Sequence, residues 1–142
     1  MRILRKLSAK FQEMYRTIIP RGIDVFSSVA IDLLQKKALR GPLEGATHVG
    51  TAGEPGEGAY VRIWLRVRDN RIEAASHATH GCPSSALAAG MASILVTGRS
   101  FEEAGRLTAK DIDAMVGGLP PGKGQFADMS VEALFRAMEN KG

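Results

Sequence analysis

The side chains that could do chemistry are few in this sequence. Cys82 is the only cysteine among 142 residues, and His77 and His80 shortly precede it. Thiolate sulfur and imidazole nitrogen are good donors to zinc and iron in proteins. One cysteine cannot form a disulfide within the chain or supply all four thiolates of a zinc or iron–sulfur site. A metal held by this chain would therefore need His, Asp or Glu as further ligands.

Two interpretations of Cys82 are open. It stands directly before a segment with helical character, and the N-terminus of a helix favours the thiolate, which is the better nucleophile and ligand. Alternatively, it is a small residue packed beneath a loop. His77 and His80 lie on opposite faces of their strand by parity, so only one of them can join Cys82. Glu57, Cys82 and His80 would make a mononuclear zinc or iron site with an open fourth position, although a carboxylate in a glycine loop is more often solvated.

The elements that position these residues begin with a hairpin. Residues 61–67 alternate between apolar and polar, which predicts a half-buried strand. Its polar side carries Arg62, Trp64, Arg66 and Arg68. Asp69-Asn70 predicts a tight turn before a returning strand at residues 71–79. The glycine-rich residues 46–60 predict an edge strand and a loop. The Arg and Trp face is either an exposed sheet surface or a partner-binding patch.

Helical patterns follow the hairpin. The apolar stripe after Cys82 predicts a helix that ends at Gly98, and residues 100–103 form a capping box for a short helix. Another short helix is expected at residues 108–116 and a last one through residues 129–138. We therefore expect an α+β fold, a three-stranded antiparallel sheet with helices packed on one face.

The N-terminal region differs from the rest of the chain. Apolar residues at helical spacing between Arg and Lys predict a basic amphipathic arm at residues 1–22, before a domain of residues 23–142 whose first helix covers residues 25–37. Residues 1–40 hold 9 Lys or Arg against 3 Asp or Glu, and residues 41–142 hold 10 against 12. Because the positive charge belongs to the arm, we expect no nucleic-acid partner. The arm is expected to dock on a protein partner, a second copy or, least favoured, an anionic membrane surface.

Several classes of protein are disfavoured by what the sequence lacks. No apolar run approaches the roughly 20 residues that cross a bilayer, and no secretory signal follows the basic start. We expect a cytoplasmic protein, and the Arg-rich start leaves a mitochondrial matrix origin open. No Ser-His-Asp set, phosphate loop or catalytic carboxylate pair occurs at supporting spacing, so we expect no enzyme.

Three blocks carry a resemblance to a known family. Val-Gly-Thr-Ala-Gly-Glu-Pro-Gly-Glu-Gly at residues 49–58, His-Ala-Thr-His-Gly-Cys-Pro-Ser-Ser-Ala at residues 77–86 and Leu-Pro-Pro-Gly-Lys at residues 119–123 occur in fitting order and spacing. In these blocks the chain resembles the iron–sulfur cluster assembly scaffold family, of the IscU or NifU N-terminal domain type. The resemblance covers residues 24–140 and implies the same α+β fold.

The resemblance also implies a ligand set. Family members hold a [2Fe–2S] cluster with three cysteines, an Asp and a His. Carried over by position, these ligands fall on Glu57, Ala59, Cys82, Gln125 and Phe126. Only Cys82 retains the family residue, so we expect a degenerate member with no [2Fe–2S], iron or zinc cofactor, apart from the single-metal site considered above.

Two functions remain open at this point. The resemblance implies a role in iron–sulfur cluster assembly as an accessory scaffold-like protein, with a cysteine desulfurase and an Hsp70-type chaperone as partners. The chaperone would bind the loop matched by Leu119, Pro120, Pro121 and Lys123. The alternative is a non-catalytic structural or regulatory subunit of a larger enzyme complex, which docks through the N-terminal arm.

Overall fold

A computed structural model of the chain describes residues 40–81 and 83–140. The expected N-terminal arm, the helix expected at residues 25–37 and Cys82 lie outside the described residues. No helix in the part of the chain that the structure describes is long and apolar enough to cross a membrane.

The sheet has three antiparallel strands in the order β1-β2-β3. They are β1 (His48–Gly53), β2 (Tyr60–Arg68) and β3 (Arg71–His80). In the central strand β2, Ile63 pairs with Gly50 of β1 on one side and with His77 of β3 on the other. The three expected strands and their antiparallel arrangement are confirmed.

The turn between β2 and β3 follows from its sequence. Asp69 and Asn70 have φ angles of 52° and 61°. Two-residue hairpin turns require this left-handed backbone, which Asp and Asn tolerate better than most residues. The register shifts between Arg66 and Val67, and the alternation of the sequence did not predict this irregularity.

Four helices follow the sheet in the described part of the chain. They are α1 (Pro83–Val96), α2 (Phe101–Ala104), α3 (Ala109–Met115) and α4 (Gln125–Glu139). The expected capping box at α2 is confirmed, because Glu103 N donates to Ser100 Oγ and Ser100 N donates to Glu103 Oε1, each at 3.1 Å. Thr108 and Asp111 form a second box at α3.

The core lies between the sheet and the two long helices. Val61, Ile63 and Leu65 of β2 are fully buried there, and ten of the 14 residues of α1 are buried as well. Helix α4 approaches β1 so closely that a Cβ atom on Gly50 would collide with the backbone of α4 at Ala133 and Ala137. The position of α4 against the sheet therefore depends on a glycine.

The free edge of β1 is closed by the end of α4. Asn140 Nδ2 donates to Val49 O at 3.1 Å, and Arg136 Nη1 donates to Thr51 O at 2.7 Å. These bonds occupy carbonyl groups that would otherwise invite pairing with another strand.

Candidate functional site

Three segments meet at one end of the sheet. The end of β1, the start of β2 and the end of β3 are neighbours, because Tyr60 pairs with both Gly53 and His80. The N-terminal part of α4 lies against the same end, where a Cβ on Gly53 would come 3.0 Å from Met129 Cε. The loop of residues 54–59, the turn after His80 and the start of α4 are therefore brought together.

Phe126 is the one buried residue among the expected ligand positions that the structure describes. Its exposed fraction is 4%. A Cβ built on Gly81 would lie 3.5 Å from Cε1 and from Cζ of the Phe126 ring, so the ring faces the turn that leads to α1. Because Gly81 has a φ of +144°, the backbone there takes a conformation that favours glycine. An apolar ring thus packs where the turn and α4 approach each other.

The other expected site residues that the structure describes offer few groups that bind metal ions. Glu57, Ala59, Gln125 and His80 are all exposed, and Cys82 lies outside the described residues. Within residues 40–81 and 83–140, no group of three or more His, Asp or Glu residues could hold a metal ion. These described donors do not fit a [2Fe–2S] unit, which takes four ligands that are mostly thiolates.

His77 and His80 differ in environment. His77 lies opposite the core residue Ile63, and His80 lies opposite Tyr60 on the other side of the sheet. His77 is 2% exposed, and its Nδ1 atom is buried without a hydrogen-bond partner among the described residues. Burial and, to a lesser extent, the positive charge of Arg40 lower the pKa of His77 from 6.5 to about 4. His77 is therefore a neutral imidazole at physiological pH.

Sequence parity identifies the side of the sheet on which His77 lies, but not the role of Arg40. Arg40 forms an isolated bridge with His77 on the free side of β3, and Gly41 N donates to His77 O at 2.7 Å. No local pattern around Arg40 signals this long-range pairing.

The loop of residues 119–123 lies between α3 and α4. Its start is fixed by Leu119 N, which donates to Asp113 Oδ1 at 2.7 Å, and its end by Lys123 O, which accepts from Phe126 N of α4 at 3.2 Å. Pro120 and Pro121 are exposed. The loop is thus held at both ends and presents its two prolines to the surface.

Comparisons with known proteins agree with this geometry. Residues 25–141 match the family model of the NifU-like N terminal domain. The chain is 33% identical over 114 residues to the iron–sulfur cluster assembly scaffold protein IscU 1 of Archaeoglobus fulgidus. The aligned region covers 80% of this chain and 74% of that protein. It is 38% identical over 110 residues to the nitrogen fixation protein NifU of Cereibacter sphaeroides. That aligned region covers 77% of this chain and 44% of the relative.

The fold is also found in solved structures. The N-terminal part of a nitrogen-fixing NifU-like protein from Brucella abortus superposes with a TM-score of 0.59 and 14% identity, over 82% of this chain and 94% of that one. At this identity the likeness supports the fold, which agrees with the sheet and helices expected from the sequence.

The family assignment corrects one prediction. We expected a protein without a cofactor, because four of the five ligand positions carry other residues. That expectation is wrong, since relatives in the same family are named iron–sulfur cluster assembly scaffold proteins, and a cluster need not take all its ligands from one chain. The chain belongs to the NifU-like N-terminal domain family of iron–sulfur cluster assembly scaffold proteins.

Proposed function

We propose that the chain is an accessory, non-catalytic protein of iron–sulfur cluster assembly, which handles a cluster as cargo with one thiolate of its own and further ligands from another molecule. The burial of Phe126 against Gly81 carries this proposal, because the resemblance places a cysteine ligand at Phe126. A buried apolar ring offers iron no electron pair.

Cys82 is the thiolate in this proposal. It directly precedes Pro83, the first residue of α1, and the positive end of a helix favours an anionic sulfur. A thiol loses its proton when it ligates iron, so cluster retention should strengthen as the pH rises. Because a [2Fe–2S] unit takes four protein ligands, one thiolate leaves three positions for donors from outside this chain.

The partners in the proposal are a cysteine desulfurase, an Hsp70-type chaperone and a scaffold with its full set of cysteines. The exposed prolines Pro120 and Pro121, in a loop held at both ends, support a protein contact there. Leu119 and Lys123 complete the segment that matches the chaperone loop of the family. The cytoplasmic location and the docking role of residues 1–22 stay predictions.

Anaerobic reconstitution tests the ligand arrangement. The full chain is incubated with ferric iron and sulfide, with or without reduced glutathione as the external thiolate donor, and the retained iron and sulfide are measured. We expect equal amounts of iron and sulfide to be retained only when glutathione is present, and to be lost in Cys82→Ser. Glu57→Gln is the control and should retain the cluster.

Two results would contradict the proposal. One is a cluster that Cys82→Ser holds as well as the natural chain does. The other is a complete cluster on a monomer without any added thiol, which would require ligands that we have not identified. Purification from the native source separates the remaining alternative, because a stoichiometric redox enzyme in place of a desulfurase or chaperone would favour the structural subunit.

A further inference from the structure

Helix α4 has an apolar side that does not face β1. Val131, Phe135 and Met138 follow one another at spacings of four and three, which places them along one side of an α-helix. Each of them is half-buried and packs against the edge of the core. Ala133, whose carbonyl group would meet a Cβ atom on Gly50 of β1, lies on another side of the helix. The side formed by Val131, Phe135 and Met138 is here called the α4 flank.

A groove continues the α4 flank toward the start of the helix. It lies between α3 and α4 and has a volume of about 790 Å³, within the range of roughly 300–1,000 Å³ for ligand pockets. Ala127, one turn before Val131, belongs to its lining. Further lining residues are Ala109, Lys110, Asp113, Ala114 and Gly124. Apart from one pair of opposite charges these side chains are small, so the groove has room for larger apolar side chains.

Exposed carboxylates run beside the α4 flank. Asp128, Glu132 and Glu139 are exposed, and their spacing of four and seven places them on the side next to Phe135. Glu132 pairs with Arg136 at 2.7 Å, whereas Asp128 and Glu139 form no ion pair with a described residue. Glu139 also lies in the last turn of α4, where the helix dipole disfavours a negative charge. The flank therefore favours an apolar ligand that carries positive charge along one edge.

Residues 1–22 of the chain have the complementary pattern. Their apolar residues recur at helical spacing from Leu4 to Ile18. A helix over this span is about 21 Å long, and the span from Ala127 to Met138 in α4 is about 17 Å. Residues 1–22 hold 6 Lys or Arg against 1 Glu, whereas residues 41–142 hold 10 Lys or Arg against 12 Asp or Glu. Length, apolar pattern and charge of the arm thus match the flank.

We propose that residues 1–22 dock as a basic amphipathic helix on the α4 flank of their own chain. Their apolar side chains contact Val131 and Phe135 and enter the groove, and their Arg and Lys side chains lie beside Asp128 and Glu139. Amphipathic helices bind apolar grooves in this way. Docking keeps an otherwise adhesive apolar stripe out of water until a partner displaces the arm.

The proposal does not depend on the proposed cluster handling. The core lies between the sheet and the two long helices, and the α4 flank is outside it. An arm docked there should therefore add little to the stability of the domain.

The chain is long enough for this docking within one molecule. Its described part begins at Arg40, whose isolated bridge with His77 is parallel, so the chain enters from the end of the sheet at which β3 begins. Helix α4 ends near the same end, because Val49 N donates to Asn140 O at 3.4 Å. The 17 residues 23–39 span about 25 Å even as a helix, against roughly 10 Å across three strands.

Other occupants fit less well. An anionic membrane surface or a nucleic acid would meet the like charges of Asp128 and Glu139. The arm of a second copy has the right chemistry, but the tether within one chain raises the effective concentration of its own arm to the order of millimolar.

Photo-crosslinking in the full chain tests the position of the arm. p-Benzoylphenylalanine replaces Phe11, which belongs to the apolar pattern, or the adjacent polar residue Gln12, and the irradiated protein is digested with trypsin for mass spectrometry. We expect the group at position 11 to crosslink to residues of α4 or of the groove, with a yield independent of protein concentration. The group at position 12 should crosslink there about fivefold less, because it points about 100° away around the helix.

Charge variants test the role of the carboxylates. Asp128→Asn combined with Glu139→Gln should lower the crosslinking yield from position 11 about threefold at low ionic strength, and added salt should lower the yield of the natural chain similarly. Glu44→Gln combined with Glu54→Gln neutralises two exposed carboxylates outside the α4 flank and should change nothing. Circular dichroism and thermal melting confirm that each variant folds.

The proposal is overturned if the group at position 11 crosslinks to no residue of α4 or the groove, or if position 12 gives an equal yield. It is also overturned if the folded variant without both carboxylates crosslinks as well as the natural chain does. A crosslinked product of dimeric mass, with a yield that rises with protein concentration, would assign the α4 flank to the arm of a second copy instead.

Discussion

Replacing Phe126 by cysteine tests whether the ring is part of the core. Only 4% of Phe126 is exposed to solvent, and its ring packs against the backbone of Gly81. Burial of an aromatic side chain removes roughly 150–250 Å² from water, and truncation of a buried Phe to Ala costs about 3–5 kcal/mol. Cysteine restores one heavy atom of the lost volume, so Phe126→Cys should lower the free energy of unfolding by about 3 kcal/mol.

Gln125→Cys is the matched control for this measurement. It places a thiol at the adjacent position of α4, where the natural side chain is exposed, and should change the free energy of unfolding by less than about 0.5 kcal/mol. Urea unfolding followed by circular dichroism gives both values. A loss below about 1 kcal/mol in Phe126→Cys, or an equal loss in Gln125→Cys, would refute the argument that the ring fills the space beneath the turn.

Three further results are expected. Gly50→Ala should destabilise the fold by about 3 kcal/mol or more, since the new methyl group meets the backbone of α4, and Gly124→Ala, which has open space around it, should not. The pKa of His77 is about 4 in the folded chain and 6.5 ordinarily. Between pH 6.5 and pH 4 the unfolded chain therefore binds a proton that the folded chain does not, and the free energy of unfolding decreases as the pH is lowered. His77→Gln should remove about 2 kcal/mol of the loss between pH 7 and pH 5. Deletion of residues 1–22 should leave the melting temperature unchanged and abolish partner binding in size-exclusion chromatography. Unfolding of the shortened chain would contradict the prediction that these residues are a docking arm outside the core.

Much of the fold could be predicted because its signals are local. The alternation along β2 gives the buried face directly, and the turn needs only Asp69 and Asn70, whose backbone is left-handed in the structure. The capping box at Ser100 is likewise contained in four residues. Each of these features is decided by neighbours in the chain, so a single sequence is enough.

The remainder depends on contacts between distant residues. Gly50 looks like an ordinary glycine of an edge strand until α4 is placed over it, and the pairing of Arg40 with His77 joins two segments 37 positions apart. The stacking of the Tyr60 ring on the His80 ring arises only when β2 and β3 are aligned, because the register of the two strands places these residues opposite each other. Residue patterns within one strand contain no information about such alignments.

The arrangement of the candidate site should persist without metal, because protein contacts fix the ends of its loops. Gly53 and Gly81 have φ angles of +82° and +144°, which favour glycine, and each lies against a side chain of α4, Met129 and Phe126 respectively. A loop anchored by backbone geometry and packing needs no ligand to hold its shape. We therefore expect treatment with a metal chelator to leave the melting temperature unchanged, whereas Gly81→Ala should cost about 1–3 kcal/mol through its unfavourable backbone conformation. A large drop in melting temperature on chelation, together with a small effect of Gly81→Ala, would mean that a bound metal, and not the packing of α4, organises this end of the sheet.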